Sequence, residues 1–219
     1  MAGGDHEQAV HPTRVAARAG GLLRAAVGRP LVWVGFIALV AAWPVVWSAR
    51  TRLPPPPPVL GSVPEFSLTD QDGNPFGSKD LAGRVWVASG VHTGGEHRGT
   101  RQLARIQARA RNLEPALHLV SISVDPDHDT PDRLRAYARA HRASPRMWTF
   151  LTGAPAEVRA TAQEGLRVGA DERSPGGTPH GARLVLVDGA ARIRGTYDAD
   201  APDAADRVVR DAALLVNRR

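Results

Sequence analysis

The sequence predicts an α/β fold in which a mixed β-sheet is flanked by helices. From about residue 60 onward, short runs rich in Val, Leu and Ile alternate with segments whose apolar residues recur every three or four positions. The last two predicted strands are joined by Asp188-Gly189, a turn sequence that connects antiparallel neighbours, whereas the earlier strands are separated by helices. This combination predicts a sheet with both parallel and antiparallel neighbours, covered by helices on both faces.

Each predicted element has its own local signal. A hairpin is expected where strand residues 66–68 run into the turn cluster 70–74. Thr130 is expected to cap a helix, because it precedes a proline and an aspartate. The predicted strands are the short apolar runs 84–89, 117–124, 147–151, 183–187 and 191–197. The predicted helices cover 100–113, 130–141, 155–164 and 203–216. This order of elements fits a thioredoxin-like fold.

The positive charge lies mostly outside the predicted folded domain. The chain of 219 residues has a formal net charge of +6. Residues 1–59 hold four more arginines than carboxylates. Residues 60–219 therefore carry a net surplus of only two positive charges. A nucleic-acid-binding domain is therefore not indicated.

Residues 30–49 form a run of twenty residues without a charge. As a helix, such a run spans about 30 Å, the thickness of the hydrocarbon core of a bilayer. Four arginines precede it and two follow it closely, a pattern typical of a cytoplasmic N-terminus. We expect residues 1–29 to be a cytoplasmic tail and 30–49 a transmembrane anchor in the inner membrane, with the rest in the periplasm or otherwise outside the cytoplasm. A cleaved signal peptide is the alternative, but no small-x-small cleavage site follows the run cleanly before Arg50.

Residues 50–59 are predicted to be a Pro-rich linker. Five consecutive prolines, Pro54–Pro58, favour the polyproline II conformation, which extends by about 3.1 Å per residue. We expect a stiff spacer of about 15 Å between the anchor and a single domain at 60–219.

The chain contains no cysteine. This excludes disulfides, thiolate metal sites, a cysteine nucleophile and thiol–disulfide exchange. No other nucleophile with an adjacent base can be identified, so the expectation is that the protein is not an enzyme.

Four segments resemble the Sco/SenC family, and they occur in the family's order. They are PEFSLTDQDGNPF at 64–76, SISVDPDHDTPDRLRAYAR at 121–139, WTFLTG at 148–153 and HGARLVLVDGAARIRGTYD at 180–198. The resemblance covers about residues 60–216. Family members are thioredoxin-like, membrane-anchored proteins associated with copper delivery during cytochrome c oxidase assembly. The resemblance therefore implies a cytochrome oxidase subunit or an assembly factor as partner, and copper as the metal.

The metal site of that family uses two cysteines in a Cys-Pro-x-x-Cys loop after the first buried strand, and a histidine before the penultimate strand. When Thr93 is matched to the family's loop, Gly95 and Gly99 stand at the two cysteine positions, although the second match can slide to Glu96. His180 falls on the family's histidine position. The resemblance thus implies a divergent member that has lost both metal-binding cysteines.

Copper(I) is a soft ion that requires thiolate or thioether ligands for selective binding. A metal site rebuilt from His92, His97 and His180, with Glu96, would instead suit copper(II), zinc or nickel. The alternative is that His92 packs in the family's aromatic position, that His97 is a solvated loop residue and that His180 is a remnant.

Asp125, Asp127, His128 and Asp129 form a second polar cluster. The spacing lacks the glycine and the terminal glutamate of an EF-hand loop. We interpret the cluster as the loop that leads into the Thr130 cap.

Three functional hypotheses follow. In the first, the protein is a cysteine-less Sco/SenC-like protein that assists respiratory oxidase assembly or copper homeostasis by binding partners. In the second, it is a divergent metal carrier that uses His92, His97 and His180. In the third, it is an inactive thioredoxin-like scaffold, tethered to the membrane, in an unrelated assembly.

Overall fold

The computed structural model describes residues 30–50, 54–95, 97–168 and 182–217. The chain divides into two compact units, of which the second begins at Pro54. The N-terminal unit contains helix α1, Pro30–Arg50. None of the helices in the described part of the chain combines the length and the apolar character that crossing a bilayer requires. The transmembrane anchor predicted at 30–49 is therefore not confirmed.

The second unit is built on one eight-stranded mixed sheet. The strands stand in the spatial order β1-β8-β7-β4-β5-β6-β2-β3. Strands β4, β5 and β6 are parallel to one another, and β7 and β2 flank them as antiparallel neighbours. Their bounds are β1 Gly61–Ser62, β2 Ser67–Asp70, β3 Pro75–Gly77, β4 Val85–Val91, β5 Leu117–Ser123, β6 Trp148–Thr152, β7 Arg183–Val187 and β8 Arg192–Asp198. The predicted α/β fold with a mixed sheet is confirmed.

Five helices of the second unit flank this sheet. They are α2 Ser78–Leu81, α3 Arg98–Arg109, α4 Pro131–Ala140, α5 Pro155–Arg159 and α6 Ala204–Val216. The helix predicted at 100–113 is shorter at its end, because a separate 3-10 turn, Arg111–Leu113, follows α3. The helix predicted at 155–164 is α5 continued by a π-helical segment, Ala160–Gly165. The predicted cap is confirmed, since the Thr130 hydroxyl accepts a hydrogen bond from the Arg133 amide.

Apolar residues of the central strands point alternately into two cores. In β4, Val85 and Val87 belong to the core beneath α3, α4 and α6, whereas Trp86 and Ala88 belong to the core on the opposite face. All seven residues of β4 are buried. A strand covered on both faces needs apolar residues at consecutive positions, which explains why these runs are continuous rather than alternating.

The Pro-rich linker does not simply extend away from the domain. Arg194 donates a hydrogen bond from Nε to the Pro57 carbonyl at 2.9 Å, and the Leu60 amide donates to Ile193 in β8. Arg194 also forms a buried ion pair with Asp188. Burial alone would raise the pKa of Asp188, but hydrogen bonds from Arg192 and Arg194 outweigh it and hold that pKa below its usual value. The linker is therefore bound to the domain from Pro57 onward, so the free spacer is shorter than the 15 Å predicted from the five prolines.

A buried histidine lies in β5. His118 is 4% exposed and its ring stacks on Phe76. Its Nε2 atom lies 2.9 Å from the Thr149 hydroxyl oxygen. Burial and, secondarily, the nearby Arg84 charge lower the pKa of His118 from 6.5 to about 4. The native state therefore holds this imidazole neutral at pH values where the unfolded chain takes up a proton.

This difference predicts an acid-dependent loss of stability. Between pH 7 and pH 5 the unfolded chain becomes protonated at His118 while the native state does not, so the free energy of unfolding should fall by about 2 kcal/mol. His118→Gln should remove that part of the loss. The measurement is urea unfolding of both proteins at the two pH values. Replacing the exposed His128 by Gln should leave the loss in place, and an equal loss in His118→Gln would contradict the prediction.

Candidate functional site

The candidate site lies where β4 ends and α3 begins. Residues 92–97, called the site loop below, follow β4 directly, and the loop 124–130 follows β5. Because β4 and β5 are parallel neighbours, their carboxyl ends lie at the same edge of the sheet, so the two loops are adjacent.

A buried carboxylate joins these two loops. Asp129 is 1% exposed and accepts three hydrogen bonds: from the Thr93 amide at 2.9 Å, from the Thr93 hydroxyl at 2.7 Å and from the Ser123 hydroxyl at 2.6 Å. From the sequence, Asp129 was expected only as part of the loop before α4. The sequence feature that could have indicated its role is that Thr93 and Ser123 both lie at the carboxyl ends of neighbouring strands. Asp129 therefore determines where the site loop leaves the sheet.

Helix α4 supports the same loop from its other side. The Tyr137 hydroxyl lies 3.4 Å from the Gly95 carbonyl oxygen and 3.2 Å from the Thr100 hydroxyl. The Tyr137 ring packs edge-on against Phe150 of the core. At the start of α3, the buried Gln102 side chain donates to the Ala199 carbonyl at 2.8 Å. The loop and the first turns of α3 are thus tied to three neighbouring elements.

Two of the predicted ligand residues are brought together. The rings of His92 and His97 lie 5.4 Å apart between centroids and are perpendicular to each other. Both residues are partly buried. The third predicted ligand, His180, and the carboxylate Glu96 lie outside the described residues. Within the described ranges, no group of three or more His, Asp or Glu side chains is arranged to hold a metal ion. The histidine site stays a prediction.

Gly99, which one of the two possible matches places at the second family cysteine position, is tightly packed. A Cβ atom built on Gly99 would lie 2.0 Å from the Ser89 Oγ and 3.1 Å from the Ser89 Cβ. At Gly95, a Cβ would meet only the His92 ring, at an ordinary 3.6 Å. Gly95 is exposed, whereas Gly99 and Ser89 are buried against each other. The chain has therefore packed around a glycine at position 99, and a larger side chain does not fit there without a shift of Ser89.

The aspartate cluster after β5 divides into two parts. Asp129 is the buried carboxylate described above, whereas Asp125 binds His128 on the surface, with both carboxylate oxygens 2.9 Å from Nδ1. The hydrogen bond that His128 donates to the Asp125 carboxylate raises the pKa of the exposed His128 above its usual value. The interpretation of this segment as the loop that leads into the Thr130 cap agrees with these contacts.

Copper(I) does not fit the residues present. The soft ion needs sulfur ligands, and the chain has no cysteine. The described loop offers imidazole, hydroxyl and backbone groups, which are neither redox couples nor thiol nucleophiles. What the arrangement provides is a partly exposed loop in which Thr93 and Gly95 are held by hydrogen bonds and Gly94 and Gly95 are exposed.

The packing of Gly99 predicts a coupled effect on stability. Gly99→Ala should lower the free energy of unfolding by about 1–3 kcal/mol, because the new methyl group overlaps the Ser89 hydroxyl. In a Ser89→Ala background this cost should fall by at least half. Urea unfolding of the four proteins measures the coupling. Gly95→Ala is the matched control and should cost little, and equal costs of Gly99→Ala in both backgrounds would contradict the prediction.

Comparison with known proteins gives consistent relatives. A family model described as SCO1/SenC matches residues 59–216. The SCO1 protein homolog of Bacillus subtilis (strain 168) is 30% identical over 99 residues, which are 44% of this chain and 51% of the relative. The match thus spans about half the length of that curated relative.

Two solved structures share the fold. One is the crystal structure of a SCO1/SenC family lipoprotein from Bacillus anthracis str. Ames, with a TM-score of 0.60, 28% identity, and coverage of 71% of this chain and 95% of that one. The other is BsSco, described as a member of the Sco family of cytochrome c oxidase assembly proteins with a disulfide switch. Its TM-score is 0.64 at 22% identity, and the match covers 74% of this chain and 98% of BsSco.

The family match covers most of the chain and includes every strand of the sheet and the site loop. The fold and the positions of the four motifs agree with it. The chain therefore belongs to the SCO1/SenC family, as a divergent member that lacks both metal-binding cysteines.

Proposed function

We propose that this protein assists cytochrome oxidase assembly or copper homeostasis by binding partner proteins, without carrying copper on thiolates. The observation that carries the proposal is that the site loop is held in place by Asp129 and Tyr137 although Gly95 and Gly99 stand at the ligand positions. A loop that had lost all function would not need such a set of hydrogen bonds. An ordered loop without metal ligands is suited to recognition of a partner.

The relatives support a proposal for the partner. BsSco is described as belonging to a family of cytochrome c oxidase assembly proteins. We infer that the partner of this chain is a respiratory oxidase subunit or an assembly factor. We propose a non-enzymatic role, which the absence of cysteine from the sequence supports.

The proposed location is the inner membrane, with the second unit in the periplasm. Support comes from the uncharged run 30–49 and from the arginines on both sides of it. On α1, large apolar side chains are exposed, among them Leu31, Ile37 and Leu39. A row of such side chains is unfavourable in water and favourable in lipid.

A second candidate function is a metal carrier that binds through imidazoles. The contact between the rings of His92 and His97 favours this function, because it places two potential ligands of one ion close together. His180, at the family's histidine position, would be the third ligand. Such a site would take copper(II), zinc or nickel rather than copper(I).

The partner-binding role predicts an effect on oxidase activity. Removal of this chain from its host should lower cytochrome c oxidase activity in the membranes, and the full chain should restore it. Gly94→Tyr should fail to restore it, because Gly94 is exposed at the tip of the site loop and a bulky ring there blocks docking without a core clash. Oxidase activity of isolated membranes is the measurement.

Gly61→Tyr is the matched control, since Gly61 is an exposed glycine in β1 with room for a side chain. It should restore the activity fully. Unchanged oxidase activity after removal of the chain would contradict the proposed role, and full restoration by Gly94→Tyr would contradict docking through the site loop.

Metal titration separates the two candidate functions. The purified full chain should form no one-to-one copper(I) complex of micromolar or tighter affinity, because it has no thiolate. The imidazole carrier predicts instead a one-to-one complex with copper(II) or zinc that His180→Ala removes and His141→Ala keeps. Each ion is titrated against a competing chelator. Tight copper(I) binding would contradict the main proposal, and binding unchanged in His180→Ala would contradict the carrier.

A further inference from the structure

The described charges of the second unit are sorted between its two ends. We call the end at which β4, β5 and β6 begin the entry end. It contains residues 83–84, 111–116, 141–147 and 188–192. Backbone hydrogen bonds connect these segments: Gly83 donates to Gly189, and Val85 donates to Ala116. The opposite end carries the site loop and is called the site end.

The entry end is basic. Glu114 and Asp188 are the acidic residues in the segments that define it, and Asp188 is already engaged by Arg192 and Arg194. The basic residues of these segments are Arg84, Arg111, Arg142, Arg146 and Arg192, of which all but the half-exposed Arg84 are exposed.

Three of these arginines lie on adjoining segments. The Gln107 side chain, near the end of α3, donates to the Arg142 carbonyl at 3.1 Å and accepts from the Ser144 amide at 2.7 Å. This pair of hydrogen bonds fixes the loop that carries Arg142 and Arg146 against the end of α3, and Arg111 lies two residues after that end. The exposed Arg111, Arg142 and Arg146 therefore lie on adjoining segments of the entry end.

The described loops of the site end are acidic. These loops, 92–95 with His97, 124–130 and 198–203, contain aspartates and no arginine. The aspartates are Asp125, Asp127, Asp129, Asp198, Asp200 and Asp203. Arg98, the first residue of α3, pairs with Asp200 at the edge of this end. Because residues 60–219 carry a surplus of only two positive charges, the charge of each end comes from segregation rather than from composition.

The linker joins the second unit at its basic end. The Pro57 carbonyl is bound by Arg194, and Pro56 lines a cavity together with Gly83 and Asp188. Pro56 and Pro57 of the linker are thus held beside the entry-end segments.

We propose that the entry end is a docking surface for anionic phospholipid headgroups. Exposed arginines gain attraction from an anionic surface within about a Debye length, which is close to 10 Å at moderate salt. The inference rests on the membrane anchor of the proposed function, because tethering supplies the high local lipid concentration that makes a modest attraction effective. Docked through this end, the unit presents the acidic site end and the site loop away from the lipid.

Vesicle binding of the isolated second unit tests the inference without the anchor. The unit folds without residues 1–53, since both cores lie within it and the B. anthracis protein matches it over 95% of that solved chain. Residues 54–219 should co-sediment with phosphatidylcholine vesicles that contain about 30% phosphatidylglycerol, and not with pure phosphatidylcholine. About 0.5 M salt should abolish the binding.

The triple variant Arg111→Gln, Arg142→Gln, Arg146→Gln should bind the anionic vesicles at least tenfold more weakly. The matched control changes three exposed arginines away from the entry end, Arg101→Gln, Arg133→Gln and Arg159→Gln, and should keep most of the affinity. Equal losses in the two variants, or no binding by the parent unit, would overturn the inference. Neither outcome bears on the oxidase measurement, so failure here and failure of the proposed function remain distinguishable.

Discussion

The position of the site loop depends on one buried carboxylate. A carboxylate removed from water must have its oxygens satisfied by hydrogen-bond donors, and Asp129 finds them on Thr93 and Ser123. Thr93 follows β4 and Ser123 is the last residue of β5, so the interaction couples the end of β4 to the end of β5. The same segment leads into the Thr130 cap of α4, whose Tyr137 contacts the loop again. Loop, strand ends and helix start are therefore mutually dependent.

This support explains how the loop keeps its place without metal ligands. In a site that depends on its metal, loss of the ligands would leave the loop with little to hold it. Here the hydrogen bonds to Asp129 and the close packing of Gly99 on Ser89 serve that purpose. The recognition surface and the metal chemistry of the family are thus separable in physical terms. A chain that has lost the second can retain the first.

The sequence was sufficient for the fold because the central strands are continuous apolar runs, as in β4, and because Asp188-Gly189 identifies the β7–β8 hairpin. Helix ends were less predictable, since the tightening of the chain after α3 into a 3-10 turn leaves no periodic signal. The strand β1 has only two residues, too few to show alternation. Its pairing with β8 is a long-range contact, and so is the bond from Arg194 to Pro57. Local patterns contain no information about such contacts.

The role of Asp129 was not predicted because its partner Thr93 is 36 residues away along the chain, beyond the range of local sequence patterns. Net charge was misleading in a related way. A surplus of two in residues 60–219 suggests an almost neutral surface, yet strand direction gathers five arginines in the entry-end segments and six aspartates in the described loops of the site end. In a parallel arrangement all strands begin at one end, so the residues before each strand meet there, whatever their separation in sequence. Although the net charge of residues 60–219 is small, the topology therefore produces a basic entry end and acidic loops at the site end, and the linker joins at the basic end.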